Sequence, residues 1–265
     1  MDSEYLFRNT DTYDTPEGLP VSRLFKLMFR SRWYFYGVNF GIFILSGLCA
    51  RKGQLNREKQ IHFSNYNVRL IEKCGGKIHL RGLNNLKALD GQAVVLIGNH
   101  MSLLETAVFH AIAREYVDFS FIIKASLYKV PFFRHIMTSL NAIAVSRTNP
   151  REDLKTVLSE GKKVLESGRS IIVFPQATRS DKFEPEKFNT IGVKLAKSAG
   201  VKVVPFALKT DFIGVGKRFR DLGPIHPERD VYFEFAPALE ISGNGQEQQQ
   251  QVIDFIQSRF DQWNR

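Results

Sequence analysis

The apolar run Ala93-Val94-Val95-Leu96-Ile97-Gly98 passes directly into Asn99-His100-Met101-Ser102-Leu103-Leu104-Glu105. A short apolar run that ends abruptly at polar residues reads as a buried strand. Ser102-Leu103-Leu104-Glu105 then has the Ser-x-x-Glu pattern of a capping box, the opening of a helix. The stretch is a strand-to-helix corner with an imidazole at its mouth. Downstream, Ser170-Ile171-Ile172-Val173-Phe174 is a second such run, opening into Pro175-Gln176-Ala177-Thr178-Arg179-Ser180. Two strand ends therefore present polar chemistry, which is where open α/β sheets place their sites.

Working outward, further strands are predicted at 77–81, 119–124, 142–146, 201–208 and 231–235, and helical patterns at 56–73, 102–114, 151–166, 190–198 and 246–260. Gly75-Gly76 stops the first of these helices. Alternation of this kind specifies the α/β class, a mixed and largely parallel sheet flanked by helices on both faces. No internal repeat is present, and the Gln248–Gln251 run is read as a solvated helix start.

The spacing of His100 and Glu105 carries little weight alone. With 6 histidines and 27 acidic residues in 265, about 0.6 such pairs arise by chance. His110 and Glu115 repeat it inside a helical pattern, where five residues place side chains on different faces. Context separates the first pair: a strand before it, Asn99 beside it and the capping box after it. Glu105 has two readings. It reaches back to the free amide of Ser102 as a cap, or it orients the imidazole and stabilises the imidazolium, and one carboxylate can do both. In the second reading His100 is a general base for a hydroxyl.

The formal net charge is +10, which suits an anionic partner, membrane lipid or nucleic acid. Position decides between them. Arg23, Lys26, Arg30, Arg32, Arg51, Lys52, Arg57 and Lys59, opposed by Glu58 alone, bracket 33–50, the most apolar stretch of the chain. Those 18 residues would span about 27 Å as a helix, the lower edge of a bilayer crossing. Gly37, Asn39, Gly41, Ser46 and Gly47 interrupt the stretch, and both flanks are basic. The expectation is a monotopic anchor with both ends on the cytoplasmic face, an amphipathic helix from Leu19 followed by a partly inserted aromatic segment. A single short span and an internal core helix are the alternatives. The organisation expected is a flexible acidic tail (1–18) that is no signal peptide, a membrane-associating helical segment (19–75) and an α/β domain (76–265). Cys49 and Cys74 have no metal-ligand spacing and suit a reduced cytosolic setting, and no metal, phosphate-loop or dinucleotide fingerprint occurs.

These ordered blocks resemble the glycerolipid acyltransferases of the 1-acylglycerol-3-phosphate acyltransferase type. That family's first block, Asn-His, four residues and Asp, is matched by Asn99, His100 and Glu105, with Glu for Asp. In its second region Lys124, Leu127, Pro131, Ile143 and Arg147 fall at matching intervals, while Ser126 replaces a Glu and Asn141 a Gly. Its third block, Phe-Pro-Glu-Gly-Thr-Arg-Ser, is matched by Phe174, Pro175, Thr178, Arg179 and Ser180 but not by Gln176 and Ala177; Val204-Pro205 matches a later Val-Pro. The similarity runs from about Lys77 to Leu239. It implies His100 as catalytic base with Glu105 as its partner. It further implies Asn99, Lys124, Arg147, Gln176, Thr178 and Arg179 around the substrate, the cations on its phosphate. Snorkelling surface cations are the plain alternative for Lys124 and Arg147, and a turn-closing amide that for Asn99.

The implied reaction is acyl transfer to the hydroxyl of 1-acylglycerol-3-phosphate, giving phosphatidic acid in phospholipid biosynthesis. The donor is acyl-CoA or acyl-carrier protein, with no metal and no cofactor, and the partners are a membrane phospholipid surface and a lysophospholipid, not nucleic acid. Loss of the block's Glu at Gln176 leaves open another lysophospholipid acceptor. The altered blocks also admit a non-catalytic lipid-binding scaffold. A serine hydrolase is disfavoured by the lack of a Gly-x-Ser-x-Gly elbow.

Overall fold

The structure is a computed structural model that describes residues 5–176, 178–216, 219 and 221–265. The chain opens with β1 (Tyr13–Asp14), α1 (Arg23–Leu27), α2 (Arg32–Arg51), α3 (Arg57–Lys73), β2 (Ile78–Arg81) and α4 (Leu83–Lys87). It continues with β3 (Val95–Gly98), α5 (Leu104–Ala113), β4 (Phe119–Lys124), α6 (Phe133–Ser139), β5 (Ile143–Val145) and α7 (Pro150–Glu166). It ends with β6 (Ser170–Val173), α8 (Ile191–Ala199), β7 (Val203–Lys209), β8 (Val231–Phe235) and α9 (Gln246–Trp263).

Among the described residues the strands form one sheet in the order β1-β2-β8-β7-β3-β6-β4-β5. Pairing is parallel throughout except at β1/β2 and β7/β8, so the mixed, largely parallel sheet expected from the sequence is what forms. The central strands β3, β6 and β7 are buried along their whole length, which is why each reads as an unbroken apolar run. Strands β2 and β8, nearer the edge, alternate between buried and half-buried positions.

Helices cover both faces, and two contacts prove it. Successive side chains of a strand point to opposite faces. Phe109 of α5 packs edge-on against Phe206, which pairs in register with Gly98. Gly192 of α8 lies against Ile97, the neighbour of Gly98, where an added Cβ would come within 2.6 Å of the Ile97 side chain. Helix α5 therefore covers one face and α8 the other. Gly98 itself has no room for a Cβ, which would meet the Phe206 ring at 2.3 Å. The last residue of β3 is a glycine because an aromatic ring crosses it.

Two readings of the N-terminal region are corrected. The acidic stretch 1–18 is not a flexible tail over its described part, because its charges and rings find partners. Tyr13 and Asp14 pair with Leu80 and His79 as an edge strand. Asp14 takes hydrogen bonds from Arg81 at 2.7 Å and from His79 at 2.5 Å, and the Tyr13 hydroxyl donates to Glu72 at 2.7 Å. Phe7 is buried, with Tyr13 edge-on to it. The amphipathic helix expected from Leu19 is also shorter than the pattern suggested, one turn at Arg23–Leu27 held by the Ser22 side chain. It buries Phe25 and leaves Leu24, Leu27, Met28 and Phe29 exposed.

The glycines and polar residues of 33–50 do not interrupt it: α2 runs unbroken for 20 residues, about 30 Å. Gly37 and Gly41 face open space. Gly47 meets α6 so closely that a Cβ would lie 2.4 Å from that of Phe132. Asn39 donates to Asn67 of α3 at 2.8 Å and Ser46 to the Phe43 carbonyl at 2.9 Å, so both are satisfied internally. By length and composition α2 is the one described helix able to cross a membrane, and it leaves Trp33, Val38, Phe40 and Leu45 exposed.

The control pair separates as expected. His110 is buried and stacks on Phe119, whereas Glu115 pairs with Arg8 at 2.6 Å. Burial, reinforced by the Arg114 charge, holds the His110 imidazole well below its ordinary pKa of 6.5, and its Nδ1 has no hydrogen-bond partner. An unfolded chain binds that proton near pH 6.5 and the folded chain does not. The contribution is therefore fully present above that pH and is lost as the pH falls below it. Stability is expected to decline with a limiting slope of about 1.4 kcal/mol per pH unit. Urea midpoints of the wild type and His110→Phe, measured from about pH 7.5 down to about 5.5, check this, the variant giving the shallower decline.

Candidate active site

The parallel register brings the C-terminal ends of β3, β6, β4, β5 and β7 to one edge of the sheet, and every predicted site residue lies on or just beyond it. His100 and Glu105 are joined there. His100 Nδ1 is hydrogen-bonded to Glu105 Oε2. The other carboxylate oxygen accepts from the backbone N–H of Met101 at 2.8 Å, the N–H of Ser102 at 2.5 Å and the Thr210 hydroxyl at 2.6 Å. One oxygen thus closes the helix start while the other is hydrogen-bonded to the imidazole, a geometry that serves both readings of Glu105. The carboxylate is fully buried. A carboxylate without water around it is stable only with such a set of donors.

The imidazole is held on its remaining sides. Phe174 stacks on it with ring centroids 4.3 Å apart. Gln176 Oε1 accepts from the His100 backbone N–H at 2.6 Å, and Ser180 N–H donates to the His100 carbonyl at 3.0 Å. Arg179 Nε donates to Nε2 at 3.3 Å. With Nδ1 facing a carboxylate and Nε2 facing an N–H donor, the neutral ring carries its proton on Nδ1 and its lone pair on Nε2, toward Arg179.

Asn99 is beside the site but not open to it. Its Nδ2 donates to the Leu208 carbonyl at 2.7 Å and its Oδ1 accepts from the Leu208 N–H at 2.9 Å. Both ends of the amide fasten β3 to β7. Gln176 is likewise buried, with its carbonyl oxygen on the His100 backbone. A neutral amide serves there as well as a carboxylate would, since the partner is an N–H donor.

Lys124 and Arg147 end the neighbouring strands β4 and β5, and both are exposed. Arg147 takes a left-handed backbone (φ 61°), fixed by its N–H to Asp153 at 2.7 Å. Partial burial and then the charge of nearby Arg179 lower its pKa, with Asp153 opposing. Two guanidiniums brought this close make an anion-seeking edge. Lys124 is set two strands from β3, a lateral offset of about 10 Å. Thr178 is exposed, and Ala177 of the same block lies outside the described residues. Met101, Leu103, Ile213, Val215, Arg179 and Asp221 line a narrow cleft at this edge. Among the described residues no three His, Cys, Asp or Glu side chains are grouped to hold a metal ion.

Thr210 and Asp221, which lie outside the sequence motifs, complete the constellation together with Ser102 of the capping box. Ser102 donates to Thr210 at 2.9 Å, and Asp221 pairs with Arg179 Nη1. Thr210 had a usable signal, a polar residue at the end of an apolar run; Asp221 had none.

The class is thus a doubly covered α/β sheet that sets a carboxylate-oriented histidine beside a guanidinium at the carboxyl ends of its strands. Residues 77–209, half of the chain, match the family model described as Acyltransferase, and the chain belongs to that family. It is 31% identical over 172 residues to a 1-acyl-sn-glycerol-3-phosphate acyltransferase of Pseudomonas aeruginosa, the match covering 65% of this chain and 63% of that protein. It is 30% identical over 141 residues to the chloroplastic 1-acyl-sn-glycerol-3-phosphate acyltransferase LPAT1 of Arabidopsis thaliana, covering 53% of this chain and 37% of that one. The matches thus span less than two thirds of either relative. In fold it is similar to the 1-acyl-sn-glycerophosphate acyltransferase PlsC of Thermotoga maritima, with a TM-score of 0.66 and 18% identity over 88% of this chain and 94% of that one.

Proposed function

We propose that this chain transfers a fatty acyl group from an acyl thioester to the free hydroxyl of 1-acylglycerol-3-phosphate, giving phosphatidic acid for phospholipid synthesis. The observation that carries this reading is the imidazole fixed by Glu105 at Nδ1, with its Nε2 lone pair beside Arg179. His100 Nε2 takes the hydroxyl proton as that oxygen attacks the thioester carbonyl, and Glu105 stabilises the imidazolium. Collapse of the tetrahedral intermediate breaks the carbon–sulfur bond, and the departing thiolate takes the proton back from the imidazolium. The thioester is already activated, so the donor, acyl-CoA or acyl-carrier protein, is a substrate, and neither metal nor cofactor is called for.

Arg179, which touches the base, and Arg147, near enough to feel its charge, would hold the acceptor phosphate, with Lys124 farther along the edge. Thr178 stands exposed beside Arg179, where its hydroxyl can add a hydrogen bond to the same acceptor. The segment 19–75 would keep the site at the membrane. Exposed Leu24, Leu27, Met28, Phe29 and Trp33 alternate there with Arg23, Lys26, Arg30 and Arg32, a surface suited to anionic lipid. Basic residues on both sides of α2 favour attachment at the cytoplasmic face.

The test is transfer of labelled acyl groups from acyl-CoA, and separately from acyl-carrier protein, to a panel of lysophospholipids in detergent. Lysophosphatidate is expected to be the preferred acceptor. Preference for a zwitterionic lysophospholipid would overturn the acceptor, and lipid binding without transfer from either donor would replace the enzyme with a scaffold.

A further inference from the structure

The segment between β7 and β8 delivers an acid to the guanidinium that the acceptor needs. Its two arms form a neck: Gly214 N–H donates to the Pro224 carbonyl at 2.8 Å and His226 N–H to the Phe212 carbonyl at 2.7 Å. A Cβ at Gly223 would lie 1.8 Å from the Gly214 carbonyl oxygen, so the crossing admits no other residue. The residues that follow Asp221 are also tied to α2. Arg32 donates to the Leu222 carbonyl at 3.2 Å and the Tyr36 hydroxyl to the Gly223 carbonyl at 2.9 Å. Position 221 is thereby held through the residues that follow it, and its carboxylate engages Arg179 Nη1 while Arg179 Nε stays on the catalytic imidazole.

The fork of Arg179 is therefore shared between a carboxylate and the His100 Nε2 lone pair, and an incoming phosphate competes for the same N–H groups. We propose that Asp221 is a positioning residue that sets the acceptor affinity. Its carboxylate stands in for the acceptor phosphate on Arg179 until the phosphate displaces it. The inference rests on Arg179 being the phosphate-binding residue of the proposed reaction. Both partners are partly exposed, at 26% for Arg179 and 49% for Asp221. A pair of that kind is weak enough to be displaced by a phosphate dianion, which offers the guanidinium two charge-assisted bonds. The competition is worth about two- to fivefold in acceptor affinity.

The full chain in detergent, as wild type, Asp221→Asn and Asp221→Ala, is assayed with lysophosphatidate as the varied acceptor. Binding of lysophosphatidate and of phosphate-free monoacylglycerol is measured by calorimetry on the same samples. Both variants are expected to lower KM and Kd for lysophosphatidate by about two- to fivefold. The donor KM and the affinity for monoacylglycerol are expected to stay as in the wild type. An unchanged or raised Kd for lysophosphatidate would overturn the inference, as would an equal shift for monoacylglycerol, the mark of general loosening. Transfer to lysophosphatidate with no tightening in either variant leaves the proposed reaction standing and removes the role of Asp221. Conversely, if lysophosphatidate does not bind but another phosphate-bearing lysolipid binds and tightens in both variants, the acceptor is wrong and the role of Asp221 stands.

Discussion

Replacing His100 by alanine is expected to lower kcat for acyl transfer by about 10²–10⁴, the usual worth of a positioned general base. The fold is expected to survive the change. The bonds that fix this corner to the rest of the site use the His100 backbone: its N–H on Gln176 and its carbonyl under the Ser180 N–H. The side chain contributes a stacking contact with Phe174, whose loss costs on the order of 1 kcal/mol. Glu105 keeps its three donors on the opposite oxygen, so its buried charge stays compensated. The exposed apolar residues of 19–75 that are proposed to meet the membrane belong to other elements, so recovery in the membrane fraction should equal that of the wild type. Single-turnover transfer, thermal melting and membrane flotation on one preparation check the three statements together. Turnover within tenfold of wild type would remove His100 from the chemistry.

Much of this corner is legible in the sequence itself. Strands β3, β6 and β7 were legible because burial on both faces leaves no polar interruption in them. His100 and Glu105 were legible because a strand end, an imidazole and a capping box are local in sequence. Contacts made by topology were not. Thr210 reaches Glu105 across 105 residues because β7 lies beside β3, although three strands separate them in chain order. The same adjacency turns Asn99, which in sequence looks like a turn residue, into a fastener for Leu208. The acidic start of the chain looked solvated because the partners of Asp14, His79 and Arg81, lie more than 60 residues away. Glycines in 33–50 looked like breaks, yet a helix tolerates them where one face is open and another needs close approach, as Gly47 does against Phe132.

Glutamine at position 105 is the substitution that divides the two roles of the carboxylate. A capping box accepts Gln as readily as Glu, so the oxygen facing Met101, Ser102 and Thr210 can be kept as an amide carbonyl. The amide nitrogen is then left facing His100 Nδ1, and two N–H donors cannot share that bond. The ring must move its proton to Nε2, where it meets the Arg179 Nε–H and has no lone pair for the acceptor hydroxyl. Loss of the negative charge at buried position 105 also leaves the imidazolium of the transition state, itself only partly exposed, without its compensating carboxylate. In a triad of the serine-protease kind the corresponding wrong-tautomer change costs about 10⁴ in kcat, and a loss of about 10²–10⁴ is expected for Glu105→Gln. Stability is expected to fall by only about 1–3 kcal/mol, the worth of one hydrogen bond to a charged group. The KM for lysophosphatidate should be nearly unchanged, since the phosphate is held by other residues. Steady-state kinetics paired with urea denaturation distinguish the cases. A variant destabilised but still turning over at the wild-type rate would mean that Glu105 closes the helix and does nothing for the imidazole.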